Sequence, residues 1–209
     1  MNVEDLLQGT LKNNVLDQLT TQLGLSDSVK ASAAMDSTIN VLINAISKNM
    51  SQPEGASSFL NALNRDHDGS IMDHLTEYLG GHFQPQNASS VNGGGILRHL
   101  LGEKLDSVAQ TIGKQTGLDA AQIMKMMAMV APILMGIIGK ANKQVQNIPG
   151  QSSGGSLIDM VLNTTKKVNQ QSKQGNILTQ ILDKDGDGSI IDDVADSGFK
   201  AILGRLFKK

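Results

Sequence analysis

Apolar residues recur at spacings of three and four along most of the chain, which is the pattern of amphipathic helices. A first stripe runs from Leu6 to Leu23 and stops at Gly24, a residue type that commonly ends helices. Further stripes follow, one on the face of Ile39–Ile46 and another from Ser70 to Leu79. The pattern continues to Leu206, so the sequence predicts an all-α, multi-helix fold.

Two features occur twice along the chain. Residues 115–119 repeat the helix stop and helix start of residues 22–26, and the polar loop 183–194 repeats the loop 64–75 in the same frame. One copy alone would expose an apolar face that the other covers, so we interpret the chain as an internal duplication. The prediction is a single all-α domain (1–209) with a first repeat at 1–82, a second at 92–209, and linkers at 83–91 and 148–155.

The polar loop from Asp183 to Val194 resembles the calcium loop of an EF-hand. Aspartates alternate at positions 1, 3 and 5, and Gly188 at position 6 allows a sharp turn. An EF-hand closes with a glutamate at position 12, which is Val194 here, so closure would need an earlier acid. The predicted calcium ligands are Asp183, Asp185, Asp187, Ser189, Asp192 and Asp193.

The upstream loop is a less complete version of the same pattern. Asn64 replaces the first aspartate, and His67 stands where the other loop has a glycine. The candidate ligands in this loop are Asn64, Asp66, Asp68, Ser70 and Asp73.

Both loops also fit an explanation without metal. A serine followed by an acid three residues later is a capping box, as in Ser70–Asp73 and Ser189–Asp192, and Asp-Gly is ordinary turn chemistry. This explanation leaves the alternating aspartates unexplained, because their mutual repulsion destabilises the loop unless a cation lies among them. Calcium-binding and capped-turn interpretations therefore both stay open.

Composition removes several classes of function. The 209-residue chain has a net charge of −2 and 2% aromatic residues, which argues against a nucleic-acid partner. With no cysteine, disulfides and thiolate chemistry are excluded. The first residues lack the basic and apolar runs of a secretory signal, so we expect a cytoplasmic protein. No catalytic arrangement of side chains stands out, and we expect no enzymatic activity.

Three other patterns have ordinary structural explanations. Four histidines (67, 74, 82 and 99) match no zinc-binding spacing, and the glycines 93–95 lack the residues of a phosphate-binding loop. The Met-rich segment 124–138 is better explained as core filling than as an exposed peptide-binding surface. It is too short and interrupted for a membrane span, so a membrane partner is not favoured.

Several motifs together resemble a known family. The run Gly93–Leu97 with Leu100–Gly102, the turn Gln115–Leu118 and the stretch Val130–Leu134 are similar to the bacterial YidB-like family, catalogued as domain of unknown function 937. The resemblance covers roughly residues 15–205. It implies an all-helical fold and brings neither an accepted activity nor catalytic residues.

The sequence therefore predicts a non-enzymatic structural or protein-interaction module with one or two calcium-stabilised loops. Its partner would be another protein or a second copy of the chain. The alternative is a membrane-associating helical protein that uses the Met-rich segment.

Overall fold

The computed structural model describes residues 15–146 and 153–171, with side chains for all of these except 153–156 and 168–171. The described part is helical and contains no strand, which confirms the all-α prediction. Short 3-10 turns lie at Ser70–Met72, Ala88–Val91 and Gly102–Lys104. The helices are α1 Leu16–Leu23, α2 Ser28–Met50, α3 Pro53–Asp66, α4 Leu75–Leu79, α5 Gly93–Leu101, α6 Leu105–Thr116, α7 Ala120–Gln146 and α8 Ser153–Gln171.

Helices α2 and α7 pack against each other at the centre of the fold. Every residue from Ser37 to Ser47 in α2 and from Val130 to Gly139 in α7 is buried. A helix buried on all sides needs neighbours around it, and α1, α3, α5, α6 and α8 supply them. The largest fully buried side chains are Leu19, Met35, Leu42, Ile46, Leu63, Leu79, Leu97, Ile112, Ile123, Met126 and Met127.

Helices α1 and α6 end in the same way, as the repeated motif predicted. Gly24 and Gly117 both adopt left-handed backbone angles, with φ of 63° and 72°. The next residue donates its N–H back into the helix, Leu25 to the Thr20 carbonyl at 2.9 Å and Leu118 to the Gly113 carbonyl at 3.1 Å. The motif at residues 22–26 places the start of the next helix at Ser26, but the side chain that caps this helix is that of Asp27.

The Met-rich segment lies inside α7 and fills the core. Met126, Met127 and Met135 are buried, and Pro132 lies within the continuous helix. By length and composition α7 is the one described helix that could cross a membrane, but 67% of its most apolar stretch is buried inside the fold. Burial of this kind is typical of a core helix, so the core-filling interpretation is confirmed.

The short helix α4 is attached to α7 by the chain's single tyrosine. The Tyr78 hydroxyl donates a hydrogen bond to the Met129 carbonyl oxygen at 3.1 Å. Burial raises the pKa of Tyr78 to about 12. At the end of α4, the Leu79 carbonyl accepts a hydrogen bond from the Gln22 side chain, which links α4 to α1 as well.

The described parts of the two predicted linkers contain local structure. Residues 83–91 include the 3-10 turn Ala88–Val91, and Asn87 caps it by accepting a hydrogen bond from the Ser89 N–H at 2.9 Å. Residues 148–155 overlap α8, which begins at Ser153, while 147–152 lie outside the described residues.

Candidate functional site

The acidic loop 64–75 leads from α3 into α4 and contains the 3-10 turn Ser70–Met72. A left-handed Gly69 (φ 88°) precedes the turn, and Asp68 Oδ1 accepts a hydrogen bond from the Ser70 N–H at 3.0 Å. The turn has no side-chain cap of its own. The capping box expected at Ser70–Asp73 is therefore wrong, because Asp68 holds the turn from the preceding side.

Glycines let the loop approach the backbone of α7 closely. A Cβ atom on Gly139 would overlap the His67 carbonyl oxygen, and one on Gly136 would overlap a methyl group of Ile71. On the loop side, a Cβ on Gly69 would lie 2.9 Å from the Lys140 backbone nitrogen. Gly139 and Gly69 thus bring main chain against main chain, and Gly136 makes room for the Ile71 side chain, which together fix where the loop lies.

Two lysines of α7 neutralise the outer carboxylates of the loop. Lys140 Nζ lies 2.7 Å from Asp73 Oδ1, and Lys143 Nζ lies 3.0 Å from Asp68 Oδ2. Hydrogen bonds from Ser70, followed by the Lys143 ammonium, lower the pKa of Asp68 to about 2. All four side chains are about half exposed, so each pair contributes at most ~1 kcal/mol to stability.

Asp66 is the buried carboxylate of the loop, and three hydrogen bonds satisfy it. Arg65 donates through Nε at 2.9 Å and through a terminal nitrogen at 2.5 Å, and Asn87 Nδ2 donates at 2.6 Å. The Arg65 hydrogen bond is the main reason that the pKa of Asp66 lies below its usual value. The bond from Asn87 also attaches the segment predicted as a linker to the end of α3.

His67 differs from the other polar residues of the loop because it is buried without a hydrogen bond. Its exposed fraction is 7%. Burial lowers the pKa of His67 and outweighs the carboxylates of Asp66 and Asp68, which act to raise it. The Arg65 guanidinium acts on this pKa in the same direction as burial. Within the described residues its imidazole makes no hydrogen bond. The ring is therefore neutral at physiological pH and has hydrogen-bonding capacity to spare.

Four of the five predicted ligands in this loop, Asn64, Asp66, Asp68 and Ser70, line one polar cavity of about 370 Å³. Asp73 does not line it. The oxygens that share the cavity are engaged with separate partners, and Asn64 Oδ1 accepts from Asn142 at 2.9 Å and Gln146 at 3.0 Å. Over 15–146 and 153–171, no group of three or more histidine, aspartate or glutamate side chains is arranged to hold a metal ion. Calcium binding in this loop stays a prediction.

The more complete loop lies outside the described residues. Its candidate ligands are Asp183, Asp185, Asp187, Ser189, Asp192 and Asp193. Calcium binding there also stays a prediction.

The four histidines differ in their exposure to solvent. His74, His82 and His99 are exposed while His67 is buried. His74 pairs with Glu77 at 3.0 Å and stacks on Phe83.

The glycine run before α5 serves capping and packing. Asn92 Oδ1 caps the helix by accepting from the Gly95 N–H at 2.9 Å. A Cβ on Gly93 would overlap the Ala128 carbonyl, so Gly93 permits close packing of α5 on α7.

The loop partners Arg65, Asn87, Lys140 and Lys143 were not identified from the sequence. The spacing of Lys140 and Lys143, one turn apart at the end of an apolar helix, was the available signal for a polar contact there. Asn87 before two serines was a signal for a turn.

Comparison with known proteins identifies a family and no function. Residues 5–141 match the family described as a bacterial protein of unknown function (DUF937). No curated protein and no solved structure matches the chain.

Proposed function

We propose that this chain, which belongs to DUF937, a bacterial family of unknown function, is a non-enzymatic structural or protein-interaction module. One observation carries this proposal: the acidic loop 64–75 is a junction between helices. Its main chain lies on Gly139 of α7, its Ile71 side chain lies on Gly136, and its outer carboxylates pair with Lys140 and Lys143. Side chains used in this way stabilise a fold and are not free to react.

We further propose that the chain is an internal duplication and that calcium stabilises the second acidic loop. The common ending of α1 and α6 supports the duplication. At the offset that separates Gly24 from Gly117, the counterparts of Lys140 and Lys143 are Ser47 and Met50. These residues carry no charge, so the first repeat supplies no matching lysine pair for Asp183, Asp185 and Asp187. A divalent cation with oxygen ligands would balance those three carboxylates.

The test is calcium titration calorimetry on EDTA-treated protein. We expect heat that saturates at about one ion per chain and disappears in the double variant Asp185→Ala/Asp187→Ala. Asp68→Asn is the matched control, because it removes a carboxylate at the same position of the lysine-paired loop. It should leave the heat unchanged.

Loss of the heat in the control alone would place the ion in loop 64–75 and contradict the assignment to the second loop. No heat at millimolar calcium would refute calcium binding. A junction role for loop 64–75 would survive either result, since it rests on contacts made without metal.

The alternative function, membrane association through segment 124–138, rests on the length and apolar character of α7. The segment would have to leave the core to meet lipid, because its Met126, Met127 and Met135 are buried. Flotation with liposomes tests this alternative. Protein that stays in the soluble fraction in the presence of lipid would rule it out.

A further inference from the structure

A second cavity shares Arg65 and Asp66 with the polar one and lies between α3 and α5, with a volume of about 340 Å³. Its buried floor consists largely of the apolar side chains Phe59, Ile96 and Met135. Exposed polar residues such as Ser58, Ser89 and His99 stand at the rim. An apolar interior with a few polar groups, opening to solvent, is the usual composition of a small-molecule site.

His67 is a polar residue in the buried part of this cavity, and its side chain has no hydrogen-bond partner in the described residues. It is more than nine-tenths buried. Among the described residues, the side-chain atoms that are sealed from solvent without a partner belong to Thr38, Gln115 and Asn142, so the nitrogens of the His67 ring are not sealed and face open space. The open space next to the imidazole is where a partner would lie.

Charge in the cavity is balanced. Arg65 and Asp66 both line it, but they are bonded to each other through two hydrogen bonds. Asn87 donates a further hydrogen bond to the Asp66 carboxylate. A charged ligand would therefore find no unpaired opposite charge among these groups, and an uncharged ligand would lose less hydration on entry.

From these observations we propose that the cavity between α3 and α5 binds a small uncharged molecule with an apolar ring or chain and one hydrogen-bonding group, which pairs with the His67 imidazole. The apolar body contacts Phe59, Ile96 and Met135. This site is separate from the proposed calcium loop, so it is tested in EDTA, and the two proposals fail independently.

The experiment is an NMR titration of the full chain with phenol and with benzene, which differ only in the hydroxyl group. We expect phenol to bind saturably and more tightly than benzene. His67→Phe should weaken phenol binding about tenfold, the value of one hydrogen bond, and leave benzene within ~2-fold. The comparison separates hydrogen bonding by His67 from general packing, because benzene needs only the apolar floor.

A pair of neighbouring variants on α3 controls for location. Ser58 and Ser57 are both exposed, but only Ser58 lines the cavity. Ser58→Phe should obstruct the mouth and abolish binding of both molecules, while Ser57→Phe should leave both unchanged. These variants decide the location even if His67→Phe does not fold, and the preference of the unaltered protein for phenol then decides the hydrogen bond.

Three results would overturn the proposal. The first is no saturable phenol binding, which would show that the space holds only water. The second is equal binding of phenol and benzene, which would remove the role of His67. The third is an equal effect of the two serine variants, which would place the binding elsewhere.

Discussion

Replacing Gly139 with alanine tests how the acidic loop is held on α7. The added Cβ would lie more than 1 Å inside the 3.0 Å that real Cβ atoms keep from their neighbours, and the atom it meets is the His67 carbonyl oxygen. A backbone oxygen cannot rotate away as a side chain can, so the loop or the helix must shift. Overpacking of this kind typically costs about 1–3 kcal/mol.

Helix propensity acts in the opposite direction and sharpens the test. An alanine in place of glycine in a helix with no such neighbour stabilises it by about 1 kcal/mol. We therefore expect the free energy of unfolding of Gly139→Ala to fall by up to about 2 kcal/mol after this gain is included. Urea denaturation followed by far-ultraviolet circular dichroism measures the difference.

Gly94→Ala is the matched control, because its Cβ would have no neighbour closer than 4.0 Å. The control should not lower stability and should raise it by at most about 1 kcal/mol, since Gly94 lies in the first turn of α5 at an open position. If Gly139→Ala instead stabilised the protein by about 1 kcal/mol, the close approach of His67 to α7 would be refuted.

Two further predictions concern the carboxylates of the loop. Asp66→Ala should lower the free energy of unfolding by about 1–3 kcal/mol, because it removes the carboxylate that accepts hydrogen bonds from Arg65 and Asn87. Unchanged stability in urea denaturation would contradict this prediction. Asp68 has a folded pKa of about 2 against an ordinary 3.8, so its contribution to stability is present above pH 3.8 and is lost as the pH falls toward 2. The stability difference between the unaltered protein and Asp68→Asn should shrink over that interval, and a difference that stays constant with pH would contradict the ion pair and hydrogen bonds as its source.

The sequence predicted the helices well because their signals are local. The spacing of apolar residues and the glycines 24 and 117 mark stripes and stops without reference to the rest of the chain. The same local chemistry misplaced the start of α2 by one residue, since Ser26 and Asp27 are both good caps and only the folded geometry selects Asp27.

The candidate site was only partly predictable because its contacts are distant in sequence. The partners Asp68 and Lys143 are 75 residues apart, and Asp73 and Lys140 are 67 residues apart. Periodicity identifies which residues face a core, but it does not identify which charges meet across two helices. Gly139 within an apolar helix was the clearest overlooked signal, because glycine at such a position often marks a close backbone approach.

The attachment of α4 to α7 gives the protein a built-in optical reporter. The chain has one tyrosine and no tryptophan, so its intrinsic fluorescence comes essentially from Tyr78. That ring is partly buried, and its hydroxyl is bonded to the Met129 carbonyl of the central helix. Separation of α4 from α7 would change the emission without any label, whereas fraying elsewhere would leave it unchanged. Stopped-flow fluorescence on the unaltered protein can therefore time the docking of this single helix during folding.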